Sequence, residues 1–154
     1  ALALPDSWDR AGLEGVGFSG FVTFAEIPDV DIPPRPGIGV VLRTATTAPE
    51  ILHSTVARAG SLYGLPDLQG RWIMGTPVVY IGKAAGSRGL RSRLVPFGRK
   101  ATNHSGGRSI WQLADANDLI VAWCAHADAA RAETALIAAF IAKYGQLPFA
   151  NRRG

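Results

Sequence analysis

The stretch VVYIGKAAGSRGLRSRL, residues 78–94, joins two different structural tendencies in one short segment. Residues 78–83 are rich in β-branched and aromatic side chains, which predicts a strand. Leu90 and Leu94 then lie one helical turn apart, which predicts a short helix over 89–97 that Pro96 ends. Basic residues occur in both the predicted strand and the predicted helix, and the segment contains no acidic residue. It therefore predicts a strand end beside a short basic helix.

The rest of the chain supplies further elements around this segment. Strands are predicted at 20–27, 37–44 and 118–125, and helices at 49–60 and 128–145, the latter capped by Asp128 and ended by Gly145. Residues 1–17 read as irregular, 62–77 as a loop, and 105–116 as a further helical turn. This order predicts an α+β fold with helices against a small sheet. We divide the chain into an extension over 1–36, with a strand and a proline-rich connector, and a main domain over 37–154.

Composition excludes several classes of protein. The chain has 154 residues, of which 47% are hydrophobic and 18% charged, so it is globular rather than disordered and fits one domain. No apolar run is long enough to cross a bilayer, so no membrane partner is expected. Its one cysteine, Cys124, lies in an apolar run and fits a reducing compartment, so we expect a cytoplasmic protein with a buried thiol.

Positive charge is concentrated in one part of the sequence. No Asp or Glu occurs between Asp67 and Asp115, whereas that window holds eight of the sixteen basic residues. The remainder of the chain carries the other eight and all twelve acidic residues. A basic region on a mildly acidic body predicts binding to phosphate, most simply in nucleic acid. The alternative is a basic surface that keeps the protein soluble.

Glu133 occupies an unexpected position in the last helix. It precedes Leu136, Ile137 and Phe140 by three, four and seven residues, so it lies on the apolar face of that helix. Burying a carboxylate is costly unless it is paired or binds a metal. The alternatives are a salt bridge to an arginine, or an edge position that reaches water.

Arg93 presents a similar question in the short basic helix. It follows Leu90 by three residues and therefore lies beside the buried side of that helix. A cation held beside the core can stabilise a phosphate transition state, because fixed charge is worth more where water is excluded. The alternative is an ion pair with Glu133. Both interpretations bring Arg93 and Glu133 into one region.

The ordered set of motifs resembles the GIY-YIG nuclease family. The set comprises PGIGVVLR (36–43), VVYIGKA (78–84), GLRSRL (89–94), ETALI (133–137) and LPFAN (147–151), and it spans residues 36–151. No single piece is specific, but the ordered set is considerably stronger than any one of them. The resemblance implies a small central antiparallel sheet flanked by helices and a metal-dependent endonuclease acting on DNA.

The resemblance also implies a role for particular residues. Glu133 would bind one Mg²⁺ or Mn²⁺ ion, and Arg93 would contact the scissile phosphate. Tyr80 would lie beside the attacking water, Lys83 would lower the pKa of that tyrosine or water, and Asn151 would complete the site. The candidates for nucleic-acid backbone contacts are Arg88, Arg91, Arg99, Lys100 and Arg108.

The chain departs from the family pattern in its first signature and at Phe97, where some members carry a histidine one turn after the arginine. The first signature should read Gly-Ile-Tyr, whereas here it reads Gly37, Ile38, Gly39. His104 or Tyr63 are the candidates to replace the missing tyrosine. The departure leaves two alternatives open: a nucleic-acid-binding module with weak or no catalysis, or an interaction domain without nucleic acid. The sequence leaves the oligomeric state undetermined.

Overall fold

A four-stranded sheet forms the centre of the protein, with strands in the order β1–β4–β2–β3 and every neighbouring pair antiparallel. The structure is a computed structural model that describes residues 3–52, 64–86, 88–98 and 108–151. The strands are β1 (Ser19–Thr23), β2 (Gly37–Leu42), β3 (Val78–Ala84) and β4 (Ile120–Ala125). The α-helices in the described residues are α1 (Arg10–Gly15), α2 (Leu65–Arg71), α3 (Gly89–Gly98) and α4 (Ala129–Tyr144). The predicted α+β fold with a central antiparallel sheet is confirmed.

Strand β2 is the most enclosed element of the sheet. All six of its residues are buried, because it lies between β3 and β4 and is covered on both faces. Gly37 pairs with Ala84 on one side and Ala125 on the other, and Leu42 pairs with Val78 and Ile120. The uninterrupted apolar sequence of β2 is the pattern expected of a strand buried on both faces.

Each face of the sheet packs against its own hydrophobic core. On one face, Leu90 and Leu94 of α3 join Trp111 and Phe149 in the larger core. On the other face, α1 and α4 contribute Leu13, Leu136 and Phe140. The sheet therefore lies between two helical layers, and β3 runs along its outer edge beside both α3 and α4.

The boundaries of α4 follow the predicted capping signals. The Asp128 side chain accepts a hydrogen bond from the Arg131 N–H at 3.2 Å, which caps the first turn. Gly145 adopts a left-handed conformation with φ of 80°, and its N–H donates to the Ile141 carbonyl at 2.7 Å. Both predicted ends of this helix are confirmed.

The N-terminal third departs from the sequence-based expectation. Strand β1 ends at Thr23, and residues Phe24–Asp29 form a 3₁₀ helix instead of continuing the strand. The N–H and hydroxyl of Thr23 both donate to Glu26, at 3.0 and 2.9 Å, which ends the strand with a capping box. Helix α1 replaces the expected irregular segment because Asp9 caps it through the Gly12 N–H at 2.9 Å.

Two middle segments also differ from the prediction. Residues Leu65–Arg71, predicted as a loop, form α2, since Pro66 stands at the helix start where its missing N–H costs nothing. The helix predicted over 49–60 does not begin at 49, because Ile51 makes a β-bridge with Leu113. The rest of that predicted helix lies outside the described residues.

Residues 1–36 contribute to the same sheet as the rest of the chain, because β1 pairs with β4 from Ser19 opposite Trp123 to Thr23 opposite Ile120.

The predicted helical turn within 105–116 corresponds to a 3₁₀ helix over Arg108–Gln112. Among the helices of the described residues, none combines the length and apolarity that a membrane crossing requires.

The start of α3 depends on Gly89. Its φ is +49°, and a Cβ there would overlap the Arg35 carbonyl, which accepts the Leu90 N–H at 2.8 Å. We expect Gly89→Ala to lower the free energy of unfolding by about 2 kcal/mol or more. The matched control is Gly86→Ala, since a Cβ at Gly86 has no neighbour within 4 Å. Urea denaturation measures both, and equal stability of the two variants would contradict this account of the α3 start.

Candidate active site

Three of the predicted catalytic residues meet around one small pocket. Tyr80, Lys83 and Arg93 line it, together with α3 leucines and the β2 backbone. Its volume is about 10 Å³, which is room for about one water molecule. A nucleic acid therefore cannot enter the pocket, and any reaction with one takes place at its rim.

The floor of this pocket is made of two facing glycines. Gly39 of β2 pairs with Gly82 of β3. A Cβ on Gly82 would overlap the Tyr80 ring, and a Cβ on Gly39 would lie 3.1 Å from Leu94 Cδ2. Tyr80 and Leu94 thus occupy the space above these glycines. Position 39 of β2 is therefore packed against α3.

Tyr80 is held in its neutral form. Burial raises the pKa of Tyr80 above its ordinary value of 10.0, and the charge of Glu133 raises it slightly further. The charge and hydrogen bond of Arg93 lower that pKa but do not outweigh the burial. A neighbouring cation therefore does lower the pKa of Tyr80, but that cation is Arg93 rather than Lys83, and the net shift is upward. At neutral pH this side chain can orient a water but cannot act as its base.

Glu133 lies where α4 crosses the edge of the sheet. Its carboxylate is half-buried and accepts the main-chain N–H of Lys83 through Oε2 at 2.7 Å. No described residue donates to Oε1 or forms an ion pair with this carboxylate, so the anticipated Arg93–Glu133 pair does not form. One carboxylate oxygen thus supports β3, and the other remains available.

Asn151 uses its whole side chain to hold β3. Its Oδ1 accepts the Ile81 N–H at 3.0 Å, and its Nδ2 donates to the Ile81 carbonyl at 2.8 Å. The residue is 5% exposed, and its own carbonyl accepts Arg71 Nη1 at 3.2 Å. With its amide oxygen already occupied, Asn151 supports the site by positioning β3 rather than by touching phosphate or metal.

The donor set around Glu133 fits one kind of metal site. The described residues contain no group of three or more His, Cys, Asp or Glu side chains that could hold a metal ion. A fully protein-ligated ion is therefore not supported there. Mg²⁺, in contrast, keeps several waters and binds through one or two carboxylates together with substrate phosphates. The available Oε1 of Glu133 fits that requirement.

The basic residues predicted to contact nucleic acid are described only in part. Arg88 and Arg91 are exposed beside the pocket, as is Lys83, and none of the three forms an ion pair with a described residue. Arg99 and Lys100 lie outside the described residues, as does the side chain of Arg108. The proposed substitutes for the missing tyrosine, Tyr63 and His104, also lie outside them.

Sequence reasoning did not recognise two residues that build this site. Gly82 provides the floor on which Tyr80 rests, and a glycine inside a predicted strand is a known sign of close approach. Arg71 links α2 to the C-terminal segment by donating to the Asn151 carbonyl. Within α2 it forms an ion pair with Asp67 at 3.1 Å. No sequence pattern indicated that role, since Arg71 lay in a predicted loop.

Comparisons of this chain with protein-family models, with curated proteins and with solved structures found no match. The geometry of the site is therefore the basis for a functional assignment.

Replacing Asn151 tests its role at the sheet edge. Asn151→Ala leaves both the N–H and the carbonyl of Ile81 without their partner, so we expect a loss of about 2–4 kcal/mol in the free energy of unfolding. The exposed Asn117 provides the control, and Asn117→Ala should change stability by about 0.5 kcal/mol at most. Chemical denaturation with matched m-values measures the difference, and a neutral Asn151→Ala would show that β3 does not need this support.

The ionisation of Tyr80 can be measured directly. Its folded pKa exceeds the unfolded one, so its contribution to stability is present below pH 10 and is lost as pH rises through the folded pKa. Absorbance titration of the three tyrosines should show one phenol ionising above its ordinary range, absent in Tyr80→Phe. Arg93→Met should raise that pKa further, whereas Arg91→Met, at an exposed neighbour, should not. A Tyr80 that ionises below pH 10 would disprove this description.

Proposed function

We propose that this protein is a GIY-YIG-type, metal-dependent endonuclease that hydrolyses phosphodiester bonds, with DNA as its substrate. The observation that carries the proposal is the grouping of Tyr80, Arg93 and Glu133 at the edge of β3. A neutral phenol and a guanidinium line one pocket there, and a partly free carboxylate accepts the main-chain N–H of Lys83, which lines the same pocket. Phosphodiester hydrolysis needs one group to orient water, one to bind phosphate and one to hold a cation.

Arg93 supplies the phosphate-binding group in this proposal. Its side chain is half-buried against the core-facing side of α3 and contacts the Tyr80 hydroxyl. A guanidinium in such a position is pre-oriented and partly shielded from water, so it stabilises the charge that develops on phosphate oxygens. The exposed Lys83, Arg88 and Arg91 around it would attract and position the strand.

Tyr80 would orient the attacking water with its protonated hydroxyl, because the raised pKa keeps its proton in place at neutral pH. In the reaction the water oxygen bonds to phosphorus and gives up one proton to solvent, while the bond from phosphorus to the leaving sugar oxygen breaks and that oxygen takes up one proton from solvent. Glu133 would hold the divalent ion through Oε1, and Mg²⁺ or Mn²⁺, when bound, supplies Lewis-acid stabilisation of the phosphate charge.

A nucleic-acid-binding module without catalysis is the second candidate. The observations that favour it are the glycine at position 39 and the raised pKa of Tyr80, which together leave the pocket without a phenolate base. Such a module keeps the basic residues around the pocket. Its affinity for DNA would fall as salt rises: the logarithm of the binding constant, plotted against the logarithm of the salt concentration, would have a slope of about −0.9 for each phosphate contacted in duplex DNA. Metal would not change its effect on DNA.

The sharpest test of the nuclease proposal uses Glu133→Gln. A glutamine can still accept the Lys83 N–H, so β3 keeps its support, but it loses the charge that would bind the metal. We expect the wild type to nick supercoiled plasmid in Mg²⁺ or Mn²⁺ but not in EDTA, and Glu133→Gln to lose about 100-fold or more of this activity. Gel electrophoresis of the topological forms measures the rate.

The control is Glu14→Gln, which changes a carboxylate on the surface of α1. It should nick at the wild-type rate. Equal nicking by Glu133→Gln and the wild type would reject Glu133 as the metal ligand. No nicking by the wild type, combined with salt-sensitive binding, would favour the binding module.

A further inference from the structure

A second concave site lies beyond the other end of the β2–β3 pair. Residues 43–47, which follow β2, and residues 72–77, which precede β3, line a cleft of about 440 Å³. We call it the 43–77 cleft. Its volume lies in the range of small-ligand sites, whereas the Tyr80 pocket holds about one water. The cleft has no part in the proposed chemistry.

The polar part of this cleft consists of a buried guanidinium and four threonines, Thr44, Thr46, Thr47 and Thr76. Arg43 is 6% exposed, and its Nε donates to Asp115 Oδ2 at 2.7 Å. Its Nη1 donates to the carbonyls of Ala45 at 3.3 Å and Thr47 at 2.6 Å. No described residue accepts a hydrogen bond from Nη2. A pre-oriented donor nitrogen therefore remains for a ligand.

The charge of the cleft argues against an anionic ligand. Asp115 lies 2.7 Å from Arg43 and offsets its positive charge. An additional anion would gain little from a guanidinium that is already paired. A neutral group with an acceptor oxygen suits the remaining Nη2 donor better, since it satisfies that donor without adding charge.

The wall of the cleft is apolar and includes an aromatic ring. Trp72, Ile73, Met74 and Pro77 line it, and Met74 is 61% exposed. Trp72 is fixed by an edge-to-face contact with Phe149 at 5.2 Å and donates its Nε1–H to Met74 Sδ at 3.2 Å. The Arg43 guanidinium lies over this ring, with its Cζ 5.4 Å from the ring centroid. An aromatic ring beside a guanidinium and a thioether is a surface for a flat, neutral ring system.

The cleft and the Tyr80 pocket lie near each other along the chain that forms β2. Tyr80 pairs with Val41, and Arg43 lies two residues further along the same chain. Arg43 is therefore about 7 Å beyond the residue that pairs with Tyr80. A strand bound at the pocket would therefore pass close to the cleft.

These observations assign an occupant to the 43–77 cleft. We propose that it binds an unpaired nucleobase of the substrate strand, whose carbonyl oxygen accepts from Arg43 Nη2 and whose ring packs against Trp72 and Met74. This proposal rests on the proposed function, because it takes nucleic acid as the partner. It adds a preference for strands in which a base is unstacked, since a paired base cannot leave its duplex without cost.

The test compares three fluorescent duplexes in EDTA, so that cleavage plays no part. One is fully paired, one carries a bulged thymine, and one carries an abasic residue in place of that thymine. We expect the bulged thymine to raise affinity about tenfold or more over the paired duplex, and the abasic residue to remove that gain. Fluorescence anisotropy at fixed salt gives the three affinities.

The variants act on the exposed wall of the cleft rather than on buried Arg43, whose loss would disturb residues 43–47. Met74→Asp places a carboxylate in the path of the base and should abolish the preference while leaving affinity for the paired duplex within about twofold. Met74→Leu keeps an apolar wall and should retain the preference. Thermal denaturation establishes that both variants are folded.

The outcomes separate this proposal from the nuclease proposal. Metal-dependent nicking without a preference for the bulged thymine overturns the cleft assignment and leaves the nuclease intact. A Met74-dependent preference without nicking supports the cleft and rejects the nuclease. Free thymidine provides the last arm: if it binds the wild type but not Met74→Asp, while the bulged duplex shows no preference, the cleft takes a free nucleoside and the strand proposal is wrong.

Discussion

The outer edge of β3, along which no other strand of the sheet lies, is the constraint on which the rest of this structure depends. An edge strand exposes main-chain groups that must find partners or remain open to other chains. Here the C-terminal part of the protein supplies them. The Ala150 N–H donates to the Val79 carbonyl at 2.8 Å, Asn151 satisfies both groups of Ile81, and Glu133 accepts the Lys83 N–H. The contacts that close the sheet also bring Glu133 to the candidate active site.

Burial sets the chemistry available at that site. Tyr80 packs over Gly82 inside a small pocket. The loss of hydration there raises the pKa of Tyr80, although the charge and hydrogen bond of Arg93 lower it. A neutral phenol in this position can orient a water molecule but does not act as its base. Arg93 lies beside it and hydrogen-bonds to the phenol. The pair therefore favours binding and orienting a phosphate over removing a proton from water.

The sequence predicted those parts of the protein that depend on local periodicity. The positions of β2, β3 and α4 follow from apolar patterns and from Asp128 and Gly145, and helical spacing placed Glu133 on the inner face of α4. The partner of Glu133 was not predictable, because a main-chain amide of an edge strand has no signature in the sequence. Helix α2 was missed because its seven residues contain a proline and a glycine and bury only Leu68, so its stability comes from tertiary contacts.

Gly39 is part of the packing between the sheet and α3. Gly39 faces Gly82 across the sheet, and the spaces above them are filled by Leu94 and by the Tyr80 ring. A tyrosine at position 39 would have to displace Leu94, a buried contact that holds α3 against the sheet. A second tyrosine is thus incompatible with the present position of α3. Position 39 therefore serves the packing of α3 against the sheet, and Tyr80 is the tyrosine that lines the pocket in the described part of the chain.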